Sequence, residues 1–412
     1  DAPNMWNVQY NVLRRANRLI EAVENNKITD AEKNQANVNN IYAQAKSVRA
    51  LVHFDLVKVY GMPYSFDNGA SMGVPIVTTP IDPLNASAIP GRNTVAEVYT
   101  QIVKDLTEAI DSKALNVSKS AGDNQGFIDE WAAKALLTRV YIYMGKNQEA
   151  LDMAKNIIEN SPYSLWTKAQ YANAWDKNNA NHINEMIFEL VNSGSDDWAD
   201  REGIAYLYHE DGYADAICTK SFVDMLAQDP SDVRLDVILP VQLKTDDNGK
   251  PTDMYKTYGD NRIFINKFPM GSLGDMRLNN LPILRLSEVY LNAAEAAAKL
   301  NDKTSTAKYL NEIIKNRTDD TKQLVTESTA TLERVLLERR KELVGEGQRF
   351  FDAMRNNETV TRYTNEDEKG WHYSINKESQ VFDRTYFRTI LPIPVSETNA
   401  NPTLKAQQNP GY

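Results

Sequence analysis

In the stretch IYAQAKSVRALVHFDLVKVYG, Ile41, Ala45, Val48, Val52, Leu56 and Val59 recur three and four residues apart. That period places them on one face of a helix, and Gly61 with Pro63 beyond it supplies the stop. Met5 to Val23 follows the same period. After a Pro- and Gly-rich loop, 62–92, the segment Thr94 to Asp111 predicts another helix. Two stretches between 181 and 280 change period. EMIFELV and RIFINKF are β-branched and aromatic runs that predict short strands, with a turn signal at Asn248-Gly249.

Helical hairpins are legible as well. In WAAKALLTRVYIYMGKNQEALDMAKNIIENSP, a turn at Gly145 puts Tyr141, Ala150 and Pro162 at tetratricopeptide positions, with Leu151 and Ile157 apolar. Thr138 stands where that repeat prefers a small residue, so the repeat is degenerate. LRLSEVYLNAAEAAAKLNDKTSTAKYLNEIIKNR predicts a second helix-turn-helix, and Thr331 to Arg355 one further helix. The expected fold is mainly α, a tetratricopeptide-like array of hairpins carrying an irregular subdomain of loops and small strands. Its parts are a helical body over 1–180, a ligand-loop region over 181–280, further hairpins over 281–356 and an irregular C-terminal segment over 357–412. Stacked hairpins leave one broad surface for a partner.

Composition narrows the function. The 412 residues carry a net charge of −10 and a single cysteine, Cys218. An acidic surface repels phosphate backbones, which argues against nucleic acid. One cysteine excludes an internal disulfide and a cysteine-rich metal site. His53, His182, His209 and His372 stand in no ligand spacing, and His53 reads as a packed or surface helix residue. There is no nucleophile elbow and no phosphate loop. Gly345-Glu346-Gly347 begins like a dinucleotide fingerprint, but Phe350 takes the third glycine's place. Asp196 and Asp197 are adjacent, so they cannot set the separation of a glycosidase pair. Neither catalytic residues nor a cofactor or metal site is expected.

The densest charge lies in ERRKELVGEGQRFFDAMR, residues 338–355. Helical spacing sets Glu338, Arg339, Glu342 and Glu346 near one another, with oppositely charged partners three and four residues away. Phe350 and Phe351 follow one turn on. The charges therefore border a core, and the stretch reads as structural.

The same stretch resembles the signature of the SusD/RagB-like proteins, surface glycan-binding lipoproteins of Bacteroidetes. The tail LPIPVSETNANPTLKAQQNPGY, together with ANRLIEAVE, VRALVHFDLVKVYG and RLSEVYLNAAEA, matches the family's motifs in order, and the resemblance spans essentially the whole chain. It implies non-catalytic binding of oligosaccharide or polysaccharide, delivery to a SusC-like TonB-dependent transporter, and a surface-exposed, lipid-anchored place on the outer membrane. The anchoring cysteine of the family's N-terminus is not among these residues, because the chain opens at DAPNMW, which reads as a truncated or processed start. A peptide-binding member, or a structural lid that binds little itself, are the alternatives.

Ligand residues differ between members of that family, so candidates come from chemistry. A sugar offers C–H faces and hydroxyls, which suit an exposed ring rimmed by polar groups. NSGSDDWADREGIAYLYHEDGY, residues 192–213, supplies Trp198, Tyr206, Tyr208 and Tyr213 beside Asp197 and Arg201. Trp198, between Asp197 and Asp200, is expected to face water. Trp6 beside Asn4 is the second candidate and Tyr64, after Pro63, the third. Trp131 and Trp175 are expected to pack against helices.

Overall fold

The computed structural model describes residues 2–80, 90–176, 182–192, 203–208, 213, 216–238, 263–268, 275–362 and 375–412. Long helices dominate them: Ala2–Glu24, Gln35–Tyr60, Val95–Asp111, Glu130–Met144, Asn147–Asn160, Leu286–Lys299 and Lys303–Lys315. Consecutive helices pack as hairpins, and Leu286–Lys299 lies against both Asn147–Asn160 and its own partner. The mainly helical, tetratricopeptide-like expectation holds. Gly145 turns the hairpin it was expected to turn, with φ +72°, a left-handed conformation that costs a glycine little. Thr94 caps Val95–Asp111 through a reciprocal bond pair with Glu97, which satisfies two orphan N–H groups of the first turn.

Two helices form the centre. Ala132, Ala133, Leu136, Leu137 and Val140 of Glu130–Met144 are buried, as are Val289, Leu291, Ala293, Ala294 and Ala297 of Leu286–Lys299. Small alanines let helix backbones approach, and each fully buried leucine or valine contributes about 1.5–3 kcal/mol. Trp131 and Trp175 are buried as expected. His53 is packed too. Its Nδ1 lies 3.0 Å from the Arg49 carbonyl and its Nε2 accepts from the Val77 N–H at 3.2 Å. These partners define a neutral ring with the proton on Nδ1.

The strands differ from expectation. Met186–Leu190 forms as EMIFELV predicts, but it pairs antiparallel with Leu281–Arg285. That second strand is the LPILR lead-in to a helix, too short to show a period. The described part of RIFINKF, residues 263–268, is not a strand; it is a buried extended run held by single bonds, Cys218 N–H to the Ile263 carbonyl and Asn266 N–H to the Val237 carbonyl. The Asn248-Gly249 turn lies outside the described residues.

The expected helix from Thr331 to Arg355 is two helices, Leu332–Glu342 and Arg349–Arg355. Gly345 and Gly347 interrupt it with φ +78° and +72°, a region other L-residues avoid. The break lets Glu346 turn inward. Around it the charges of the signature stretch are buried and paired. Glu342 accepts from Arg285 at 2.7 Å and from Arg317 at 2.9 Å, while Arg234 reaches it at 3.2 Å. Glu185 receives Arg285 and Arg317, and Lys267 bonds both Glu346 and the Glu342 carbonyl. Burial pushes the Glu342 carboxyl up, but Arg317 and Arg285 outweigh it and hold it well below the usual range. Arg234 and Lys267 come from the irregular region, so this network fastens that region to the helical body. Nothing in it resembles a nucleophile with its base.

Candidate functional site

The short helix Ile204–Tyr208 opens the described part of the aromatic segment. The chain then doubles back: the Tyr213 N–H donates to the Tyr206 carbonyl at 2.7 Å, and the Ala216 N–H to the Leu207 carbonyl at 3.0 Å. This brings the Tyr206 and Tyr213 rings to 5.7 Å between centroids, tilted by 41°. Tyr213 is 51% exposed and Leu207 41%, whereas Tyr206 is half-buried. The result is a supported aromatic ledge open to water. Neighbouring rings at this separation hold each other in place at little entropic cost.

Arg277 completes the edge. The 3-10 turn Met276–Leu278 packs against Ile204–Tyr208. Its preceding Asp275 accepts from Arg277 through both oxygens, at 2.9 Å and 2.6 Å. That contact holds the Asp275 carboxyl below its usual range and fixes the guanidinium plane. The charge of Arg277 also feels the Tyr206 hydroxyl. A tilted pair of phenols with a fixed guanidinium and carboxylate beside it can stack on a C–H face and hydrogen-bond hydroxyls at its rim.

The other expected residues have different fates. Tyr208 is half-buried and stacks on Phe268 at 5.5 Å and 19°; burial pushes its phenol up. It belongs to the small core around Cys218 and Ile263 instead. Trp198, Asp197 and Arg201 lie outside the described residues, as does the side chain of Asn4. Trp6 requires correction as an exposed platform. It is 3% exposed and packs edge-on against Tyr60 at 4.9 Å, because helix Ala2–Glu24 turns that face onto its hairpin partner. Tyr64 is likewise half-buried, edge-on to Tyr99 at 5.3 Å and packed on the main core. Arg277 and Asp275 were missed. They stand far from the tyrosines in sequence, and no spacing rule links them. Among the described residues no group of three or more His, Cys, Asp or Glu is placed to hold a metal ion. No helix there is long and apolar enough to cross a membrane.

The hairpin body carries this ring pair on its irregular flank. The chain belongs to the SusD family, whose profile matches residues 118–412; a second profile, described as starch-binding associating with outer membrane, matches residues 1–142. A SusD superfamily protein from Bacteroides thetaiotaomicron is 38% identical, with a TM-score of 0.83 over 98% of this chain and 85% of its own. A structure described as a putative sugar binding protein from Bacteroides vulgatus is 37% identical, with a TM-score of 0.83 over 99% and 85%. A laminarin binding SusD-like protein is 25% identical, with a TM-score of 0.69 over 99% and 85%. SusD-like protein P25 of Formosa agariphila is 23% identical over 99% of this chain and 79% of its own length.

Proposed function

We propose that this protein binds oligosaccharide without cleaving it and delivers it to a TonB-dependent transporter in the outer membrane, from a lipid-anchored position on the cell surface. The Tyr206–Tyr213 ledge with Arg277 and Asp275 at its edge carries the binding part of this reading. It is a ring pair, Tyr213 exposed and Tyr206 half-buried, held by backbone bonds and with polar groups at its border. Family membership supports the outer-membrane setting, and the laminarin binding relative supports the ligand class. Trp198, Asp197 and Arg201, next to the ledge in sequence, extend the proposed site. A glycan array on the purified chain tests the reading, followed by calorimetry with the best oligosaccharide on wild type and Tyr213→Ala. Loss of affinity without loss of melting temperature supports it. Binding of peptides in place of glycans, or of neither, overturns it.

A further inference from the structure

Two helices of the body meet along an open groove. Met5, Val8 and Val12 of Ala2–Glu24 line one wall, and Val48, Leu51, Asp55 and Val59 of Gln35–Tyr60 line the other. Both sets recur three or four residues apart, so each is a stripe running along its helix. Leu190 and Ile283 of the small sheet, with Phe351, close the far side around about 530 Å³ of space. Val12, Val48, Leu51, Val59, Ile283 and Phe351 pack on the main core yet stay half-buried. Val8 and Leu190 are 60% and 47% exposed. The core is open on this side, and an apolar surface of that extent marks a face that another element covers.

The lining says what kind of element. Its charged groups are already paired: Asp55 with Lys58, Arg139 with Glu288, and Glu346 with Arg285 and Lys267. The groove therefore selects by shape and apolarity. Most of it is aliphatic, which suits leucine and valine side chains better than a sugar face, which stacks on rings. Two adjacent helices with exposed stripes offer the furrow in which a third helix lays its apolar ridge. Residues joined to the N-terminus of Ala2–Glu24 reach the groove over a short connection, because the first turns of that helix form its wall. This chain, matched over 98% and 99% of itself, covers 85% of the Bacteroides thetaiotaomicron and Bacteroides vulgatus structures. Chains of this fold thus carry residues beyond those aligned with it.

We infer that the groove seats an apolar-faced helix of a longer polypeptide, N-terminal to Asp1, packed against Ala2–Glu24 and Gln35–Tyr60. Such a helix adds one more member to the hairpin array and closes its core. Thiol labelling tests this in the 412-residue chain and in the polypeptide extended to its natural start. Cys218 is buried, so it gives little background. Val8→Cys and Leu190→Cys are expected to react freely with a maleimide in the 412-residue chain, and about tenfold more slowly in the longer one. Val381→Cys, exposed and outside the groove, should react alike in both. Val8→Asp should lower the melting temperature of the longer polypeptide and leave that of the shorter chain nearly unchanged. Equal labelling of Val8→Cys and Leu190→Cys in the two chains would overturn the inference, as would an equal melting loss in both. So would a natural start at Asp1, or preceding residues without an apolar helical period. Protection of the shorter chain that grows with its own concentration would make a second copy the occupant, and would overturn it as well.

Discussion

Arg339 lies across Asp352 inside the protein, its Nε 3.2 Å from the Asp352 Oδ2, with both side chains closed off from water. Nη1 donates to Asn292 and Nη2 to the other Asp352 oxygen, Glu295 lies 3.5 Å from the same Nε, and Arg355 bridges Asp352 and Glu295 from the other side. Arg339→Ala therefore leaves buried Asp352 with Arg355 alone, which Glu295 shares along with Lys299, and should cost about 3–5 kcal/mol. Arg349, 39% exposed and paired with Glu358 at 2.7 Å, should cost at most about 1 kcal/mol as Arg349→Ala. Chemical denaturation checks both. Glycan affinity of the folded variants should not move. A normal unfolding midpoint for Arg339→Ala would mean that the network contributes little.

Acid should act on the fold through His53 first. Burial, helped by the charge of Arg49, lowers its pKa from 6.5 to about 4. The unfolded chain therefore takes up a proton below pH 6.5 that the folded chain refuses until about pH 4. This contribution is complete above pH 6.5 and is lost as pH falls through that window, by about 3 kcal/mol in all. Glu338, held at about 2 against its burial by Arg234 and Arg334, adds a second loss below its unfolded value of 4.5. In His53→Gln, the slope of stability between pH 6.5 and 4 should flatten relative to wild type, whatever its absolute stability. Parallel slopes in the two proteins would contradict the neutral-ring assignment.

The ledge and the buried tryptophan should separate cleanly on mutation. Tyr213→Ala should weaken oligosaccharide binding by about 1–3 kcal/mol, by analogy with base–aromatic stacking, and barely shift the melting temperature. Trp198→Ala should do the same if its ring continues the ledge, as proposed. Trp6→Ala should instead destabilise by about 3–5 kcal/mol, the cost of an aromatic-sized cavity. Calorimetry beside melting curves reads all three.

Arg92 closes the C-terminal segment onto the loop after Gly61. Lysine carries three donors on a point charge and cannot reproduce the five-donor fork. Arg92→Lys should leave the Gly73 or Met72 carbonyl, each of which accepts from Arg92, unsatisfied. Amide exchange should then quicken over residues 391–412 while the central helices stay protected. Uniform protection across the tail would show that Asn409, which bonds the Tyr60 and Leu391 carbonyls, suffices alone.

The helices were legible in the sequence because their cause is local. Apolar period and the Gly145 turn act within a few residues, and both survive in the structure; the Thr94 cap that the structure adds is equally local. The structural reading of the signature stretch was legible too, since buried pairing is the ready outcome for so many opposite charges near apolar side chains. What a ring faces is decided elsewhere. Trp6 and Tyr64 look as open in sequence as Tyr213, and it is packing by Tyr10 and Tyr60 that buries Trp6 and by Tyr99 that half-buries Tyr64. The strand Leu281–Arg285 and the Arg277–Asp275 edge of the ledge depend on partners far along the chain. Arg92, an unremarked loop residue in sequence, becomes a buried clamp because the carbonyls of Tyr60, Met72, Gly73 and Gln407, from three separated stretches, converge on it. Periodicity and capping are properties of neighbours in sequence, whereas exposure, pairing and convergence belong to neighbours in space.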